Sequence, residues 1–386
     1  MVEVKVNRRA ARRVAAGHPW IYESDVVEAA AAQPGDVVKV VDPGGRALGT
    51  AHFSAASQIR IRLLSPRVEE VDAAFYAARL AAAESHRRRI VSNTDAYRVV
   101  HGEADRLPAL IVDRYADHLV LQTLDQGMDR ARDAIVAGLV DLFAPRGIVA
   151  RNDAPVRAKE SLPLESSVVH GTVPETVEIR MNGFRLEADL RRGQKTGIFL
   201  DQRENYLAAA RYAHGPVLDC FTSTGGFALH LAAACVSVEA VDSAGAALAI
   251  ARRNAANNGI GNIEFREADV FVLLAAYASA RRQFSTVILD PPAFAKSRSS
   301  VEGAIRGYKE INLRALRLLG PGGILVTCSC SHHLSEAMLL ELVAEASLDA
   351  GRQLRVLERR TQSQDHPILL TVPETHYLKC LILEVM

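Results

Sequence analysis

From about residue 183 onward, short apolar runs alternate with helix-length stretches, and several of the runs end on an acid. VLDCF (217–221), VEAVD (238–242), EFREADV (264–270), TVILDPP (286–292) and GGILVTCSC (322–330) read as strands. GGFALHLAAAC, AGAALAIARRNAANNG and GYKEINLRALRLLG fall between them and read as helices. Strands separated by helices predict an α/β, Rossmann-like, doubly wound domain with a largely parallel sheet. In such sheets ligands bind beyond the carboxyl ends of the strands, which is where the acids fall.

The preceding residues have a different texture. Residues 1–70 read as a small β-rich domain, with PGD and DPGG as turns and an alternating Gln58–Leu63 run that fits a strand with one buried face. Residues 71–94 are Ala- and Arg-rich and predict a helix, and 95–182 read as α+β. The expected domains are therefore 1–70, 71–182 and 183–386, a number that 386 residues accommodate. Formal net charge is only +1 and hydrophobic residues make up 49%, which excludes a wholly basic coat protein and a disordered chain. A local basic stretch remains: Lys5, Arg8, Arg9, Arg12 and Arg13 suit phosphate contacts, the plain alternative being a solvated face. Five cysteines, an N-terminus without an apolar signal-peptide core and no apolar run near the ~18 residues of a membrane span point to a reduced, cytoplasmic protein.

The first strand runs into Cys220-Phe221-Thr222-Ser223-Thr224-Gly225-Gly226 and then a helix. Glycine lets backbone approach a ligand closely. Asp242 follows at roughly the 20-residue distance at which a carboxylate takes two ribose hydroxyls. Asp269 closes a third strand. The turn lacks the G-x-G-x-x-G spacing of a pyrophosphate site and is headed by Asp219. An acid-headed turn suits a cofactor without phosphate and with a positive centre. S-adenosylmethionine has both properties.

Asp290-Pro291-Pro292 ends the fourth strand, and prolines there force the chain out of the sheet. Its carboxylate can hydrogen-bond the amino edge of a nucleobase. On the next strand, period-two alternation turns Cys328 and Cys330 the same way, with Cys330 nearer the ligand end. A thiolate there can add to carbon 6 of a pyrimidine and activate carbon 5 for methylation. Packing is the reading for Cys328, Cys220, Cys235 and Cys380. Metal binding by Cys328, Cys330, His332 and His333 is disfavoured, because C-x-C-x-H-H is not a zinc spacing; no metal site is expected.

These segments together resemble the RlmI-type ribosomal RNA cytosine-5 methyltransferases over essentially the whole chain. RRVAAGHPWIYESDV is similar to the start of their PUA domain, and HGEADRLPALIVDRYADHLVLQ to their middle domain. QKTGIFLDQR (194–203), DCFTSTGGFALHLA, DPPAFAKS, GYKEINLRAL, CSCSHH and HPILLTVPETHYLKCLIL follow in the family's order. The resemblance implies a class I methyltransferase domain using S-adenosylmethionine, with ribosomal RNA of the 23S type as partner and a homodimer as one assembly. It places Asp219, Thr224, Gly225 and Gly226 at the methionine end, Asp242 at the ribose and Asp269 near the adenine. Phe221, Ser243, Val270, Phe199, Gln202 and Asp290 are assigned to the same cleft. Asp290 and Cys330 become the catalytic pair. Arg8, Arg9, Arg12, Arg13, Lys195, Arg203 and Lys296 become the RNA contacts. Many other RNA cytosine-5 methyltransferases carry a second cysteine beside the Asp-Pro-Pro segment. Here Pro291-Pro292 holds none, so Asp290 or water is left to take the carbon-5 proton.

Two other readings compete. An enzyme methylating a guanine nitrogen also uses D-P-P segments but needs no nucleophile, and leaves Cys330 unexplained. An RNA-binding ribosome-assembly factor with a degenerate methyltransferase domain leaves the five intact site residues, Asp219, Asp242, Asp269, Asp290 and Cys330, unexplained.

Overall fold

The computed structural model describes residues 1–29, 31–294 and 301–386. They divide into two compact units, each gathered from more than one segment: 1–181 with 188–198 and 364–375, and 182–187 with 199–363 and 376–386.

The first unit holds two sheets with separate cores. Strands β1 (Val2–Val6), β2 (Trp20–Tyr22), β3 (Val26–Glu28), β4 (Val37–Val41), β5 (Ala47–Phe53) and β6 (Ile59–Ser65) form a six-stranded sheet in the order β2-β6-β5-β4-β1-β3, with helix α1 (Arg8–Ala15) after β1. Its core is Val4, Val6, Ile21, Val38, Val40, Phe53 and Ile61. Helix α2 (Ala73–Ile90) begins at Asp72, whose carboxylate accepts the Phe75 N–H. Strands β7 (Ala96–His101), β8 (Leu110–Tyr115), β9 (His118–Thr123), β10 (Gly147–Asn152) and β11 (Glu165–Gly171) form the second sheet, with α3 (Gln126–Arg130) and α4 (Arg132–Phe143) between β9 and β10. Here α2 and α4 pack on β7–β10 through Leu80, Val99, Leu119, Leu121, Ile135 and Leu139.

The alternation read in 58–63 is only half right. Ile61 is buried as expected, but Arg62 on the opposite face is buried too. Its guanidinium meets Glu160 at 2.9 Å and Asp125 at 3.5 Å. An arginine that looks solvent-facing in the sequence is here the centre of a buried ionic cluster. Such pairing offsets the desolvation of each charge.

After β12 (Val177–Met181) and β13 (Phe184–Ala188), the second unit is the doubly wound domain. Its elements are α5 (Arg203–Ala210), β14 (Pro216–Cys220), α6 (Gly226–Ala232), β15 (Ser237–Asp242), α7 (Gly245–Asn257), β16 (Ile263–Glu267), α8 (Val270–Ser279), β17 (Phe284–Leu289), α9 (Val301–Arg317), β18 (Leu319–Ser329), α10 (Glu336–Asp349), β19 (Leu354–Arg360) and β20 (Lys379–Val385). The strand order is β16-β15-β14-β17-β18-β20-β19. Strands β14 to β18 run parallel, and β20 joins β18 antiparallel. The central strands are apolar on both faces because helices cover both; Leu218, Val287, Leu289, Leu325 and Leu381 lie in one core with Ile311, Leu339 and Leu342 of the helices. Each such side chain contributes roughly 1.5–3 kcal/mol on burial. The five strands expected from sequence are all present. Of the closing pair, β20 is an apolar run, whereas β19 has no clear signal in the sequence, since Leu354–Arg360 carries four charges on a sheet edge. The strand order reverses at β14, where β15 lies on one side and β17 on the other. This switch point is where an open α/β sheet has room for a ligand.

Candidate active site

The turn after β14 is held in conformations that side chains rarely adopt. Phe221 and Ser223 have φ of +65° and +52°, and Gly225 has +88°. Non-glycine residues in the left-handed region are uncommon and persist only where the surroundings impose them. The constraints are visible. The Thr222 N–H donates to the Val241 carbonyl (3.0 Å), Ser223 N–H to Asp242 Oδ2 (2.9 Å), and Gly225 N–H to the Thr222 carbonyl (2.9 Å). Asn254 of α7 donates to the Thr224 carbonyl (3.1 Å). Gly226 faces Tyr206 so closely that a Cβ there would stand 2.4 Å from the ring, so only glycine fits.

Asp219 is fully buried beneath this turn. Its Oδ2 accepts from Thr222 Oγ1 (2.6 Å) and the Ala228 N–H (3.0 Å), while Oδ1 has no hydrogen-bond partner among the described residues. Burial, with the nearby Asp290 and Asp242 carboxylates adding to it, pushes its pKa up to about 7 against the stabilising pull of Thr222 and Ala228. A buried carboxylate oxygen left open, with two further carboxylates nearby, fits a ligand with a positive centre. S-adenosylmethionine has that centre and no phosphate, so the residues present suit it.

Asp242, at the end of β15, accepts Ser223 N–H on one oxygen and Ala244 N–H on the other (2.9 Å each). Ser243 beside it is exposed. Asp269 is exposed and caps α8 through the Val272 N–H (3.1 Å), while the Val270 side chain is turned into the core. Phe221 is half-buried against the same core. These residues thus lie along the carboxyl ends of adjacent strands β14, β15 and β16, as the sequence reading requires.

The QKTGIFLDQR segment is divided between the units. Lys195 belongs to the first and is exposed at a φ of +53°. Its neighbour Thr196 donates to Asp113 (2.6 Å), which also takes a bidentate Arg98 guanidinium (2.7 and 2.8 Å). Phe199, Gln202 and Arg203 belong to the second unit. Phe199 is half-buried, and its carbonyl accepts from Tyr206 Oη (3.4 Å). Gln202 is buried, accepting from Asn205 (2.6 Å) and facing the Cys328 sulfur. Arg203 departs from its expected role. Its side chain is 1% exposed and its guanidinium lies on Glu204 (2.7 Å), a placement that suits structure and not a phosphate on a surface. Of the N-terminal arginines, Arg8, Arg9 and Arg12 are exposed on α1, whereas Arg13 is tied to Asp25 (2.7 Å) and lies over the Tyr22 ring. Arg8 and Arg12 with Arg46 line a groove of about 370 Å³. Lys296 lies outside the described residues.

At the next strand ends, Asp290 follows β17 and is half-buried; its N–H reaches the Cys220 carbonyl (3.4 Å). Phe294 four residues on packs against Tyr308 of α9, with ring centroids 4.7 Å apart and the rings tilted at 45°, and anchors the Asp-Pro-Pro segment to that helix. Cys330, just past β18, is the one cysteine of the five that is not buried. Its Sγ lies 4.0 Å from the Pro291 carbonyl. Cys328 is fully buried opposite Cys380, and burial lifts its thiol well above the ordinary range. The structure therefore separates two cysteines that the sequence spaces two apart: one packed, one at the cleft. Sequence reading misses Tyr308, which bonds Ser329 (3.0 Å) and Ser331 (3.1 Å), and Lys379, which donates to the Ser331 carbonyl (2.7 Å). Their signals are present in GYKEINLRAL and HYLKCLIL but carry no chemistry by spacing alone.

Comparison with known proteins gives the family and the fold. A family model described as S-adenosylmethionine-dependent methyltransferase matches residues 161–382, and one described as PUA-like domain matches residues 4–66. Proteins named ribosomal RNA large subunit methyltransferase I are close in sequence. The one from Shewanella denitrificans is 40% identical, covering 100% of this chain and 99% of its own. That from Tolumonas auensis is 40% identical over 95% of this chain and 94% of its own. The crystal structure of SMU.776 complexed with SAH superposes with a TM-score of 0.87 at 20% identity over all of both chains, a likeness of fold. The chain belongs to the S-adenosylmethionine-dependent methyltransferase family and, within it, to the family of the ribosomal RNA large subunit methyltransferase I proteins.

Proposed function

We propose that this protein forms 5-methylcytosine in large-subunit ribosomal RNA through an adduct between Cys330 and carbon 6 of the base. The observation that carries the reading is the half-exposed Cys330 thiol at the carboxyl end of β18, beside the Pro291 carbonyl, in a chain whose other four thiols are buried. The names of the relatives support the RNA.

Asp219, Thr224, Gly225 and Gly226 would hold the methionine end of the cofactor, Asp242 the ribose and Asp269 the adenine side. When bound, S-adenosylmethionine supplies an electrophilic methyl group to carbon 5. The target cytosine enters unstacked, at a cost of a few kcal/mol that is smaller in single-stranded RNA. Asp290 accepts a hydrogen bond from the exocyclic amine. The Cys330 thiolate donates its electron pair to carbon 6, and the carbon 5–carbon 6 π pair makes carbon 5 nucleophilic. After methylation, a base (Asp290 or water) takes the carbon-5 proton. The electron pair of that bond re-forms the double bond, and the sulfur leaves carbon 6 as thiolate. Residues 1–70, with Arg8, Arg9 and Arg12 exposed on α1, supply sequence-independent phosphate contacts, and 71–182 and 183–386 are the remaining domains of this reading.

The test uses ribosomal RNA lacking the modification, methyl-labelled cofactor and nucleoside mass spectrometry. Label in 5-methylcytidine is the expected result. Label in a methylguanosine would instead assign guanine chemistry and leave Cys330 a packing residue.

A further inference from the structure

Lys379 opens β20 and pairs with Ser329, while the next pair is Cys380 with Cys328. Alternation puts Lys379 on the Ser329 face of the sheet, opposite the buried Cys328–Cys380 pair; Cys330 follows the last residue of β18, so the alternation expected to turn it with Cys328 does not extend to it. The side chain is 3% exposed, yet no carboxylate among the described residues holds it. Its Nζ donates to the carbonyls of Ser331 (2.7 Å) and Tyr377 (2.8 Å). Ammonium carries three protons, and these carbonyls account for two. Ser331 directly follows Cys330, so the cation is fixed on the backbone of the residue next to the proposed nucleophile. A buried cation without an anionic partner is unfavourable in a low-dielectric interior, and a nearby group that can become an anion relieves it.

The geometry points to Lys379 as a positioning residue for Cys330: its ammonium, anchored on the Ser331 carbonyl, favours the thiolate form of the neighbouring sulfur. Burial draws the Lys379 pKa down to about 8, and Cys330 and then Glu336 pull it back up. Other ionisable groups surround this strand end, His332 two residues on from Cys330 among them. Glu336, in the first turn of α10, is engaged by Arg359. Tyr308 of α9 is engaged by Ser329 and Ser331. Tyr377 donates to Asp201 (2.6 Å) and faces the His332 ring. Asp290, after β17, is a further negative charge near this strand end and helps to raise the Cys328 thiol. An adjacent ammonium is one of the few devices that raise the thiolate fraction of a cysteine near neutral pH.

The inference rests on Cys330 being the nucleophile, and its test is chosen to be independent of turnover. Iodoacetamide alkylation of the Cys330 peptide is followed by mass spectrometry from pH 6 to 10 in wild type, Lys379→Met and Lys379→Arg. Lys379→Met should move the midpoint of the profile upward, slowing alkylation at pH 7 roughly tenfold per unit of displacement. Lys379→Arg keeps the charge and should keep most of the rate, and S-adenosylmethionine binding should be unchanged in both. Superimposed profiles for wild type and a folded Lys379→Met overturn the role. Should Lys379→Met not fold, the reciprocal measurement decides. The side-chain carbon-13 resonance of Lys379 is titrated in wild type and Cys330→Ser. A lower titration point in Cys330→Ser supports the coupling, and identical titrations overturn it. Full turnover of Cys330→Ala would sink the adduct mechanism, yet the alkylation profiles would still report whether Lys379 tunes the thiol.

Discussion

The end of β14 and the end of β18 both face the carboxyl edge of one sheet, yet they are built in opposite ways. The β14 turn is a backbone device. Phe221, Ser223 and Gly225 at positive φ, the Gly226–Tyr206 contact and amides aimed at Asp242 define it within a short stretch of chain. The β18 end is a side-chain device. A half-exposed thiol takes its surroundings from α9 (Tyr308), from the loop after β17 (Pro291) and from β20 (Lys379). The first can grip a ligand by shape that is already set. The second depends on groups distant in sequence, so it is the more sensitive of the two to single side-chain changes that leave the fold intact.

The sharpest way to break that contrast is at the thiols. Cys330→Ala should reduce methyl transfer to background while leaving cofactor affinity, measured by calorimetry, unchanged. Cys328→Ala should do the reverse. Turnover persists, and stability falls by about 1 kcal/mol, the ordinary size of a small change in a packed site. Thermal melts and turnover of the two variants side by side read both halves. Activity surviving in Cys330→Ala would make the β18 end a packing region like its neighbour.

At the β14 turn the next largest effect belongs to Asp219. Its pKa in the folded protein, about 7, lies above the unfolded value near 3.8, so ionising it opposes folding. The stability it contributes is fully present below about pH 4 and is lost as pH rises through about 7. Affinity for a cationic cofactor should run the other way, strengthening as pH rises through 7 because the carboxylate is the binding form. Asp219→Asn removes the titration from both. It should weaken S-adenosylmethionine binding roughly tenfold to a hundredfold, the worth of a hydrogen bond to a charged group. Asp125 is also pushed up, to about 6, so the informative quantity is wild type minus Asp219→Asn, in melts and in binding isotherms, from pH 5 to 8. A pH-independent difference in affinity would show that charge at Asp219 is not what the cofactor recognises.

The same contrast explains what the sequence makes legible. Asp219, Asp242 and Asp290 each follow an apolar run, so the strand period that builds the sheet also announces the acids at its edge. The β14 turn can be read because its parts are contiguous. Lys379 and Tyr308 cannot, because their chemistry arises only when β20 pairs with β18 and α9 packs over them. Charge is the poorest guide. Arg62 and Arg203 look like surface arginines in the chain, and both are buried on carboxylates. Whether an arginine faces water depends on an acid that can be far along the chain, as Glu160 is for Arg62, or adjacent, as Glu204 is for Arg203.

The smallest effects separate arginines that look alike in sequence but differ in place. Arg8 and Arg12 are exposed on one side of α1 beside Arg46, in a groove open to a polyanion. Arg203 is enclosed. If Arg8 and Arg12 neutralise phosphates, replacing either with Ala weakens RNA binding alike for all sequences. It also lowers the slope of log K against log salt by about 0.7–0.9 for each phosphate that is no longer neutralised. Arg203→Ala should leave that slope untouched and lower the melting temperature instead, because it opens the 203–204 pair and leaves a part-buried carboxylate behind. Filter binding from low to moderate salt on the three variants measures the slopes directly. An unchanged slope in Arg8→Ala and Arg12→Ala would return the α1 arginines to an ordinary solvated face, and a reduced slope in a fully stable Arg203→Ala would mean that the guanidinium leaves Glu204 when RNA arrives.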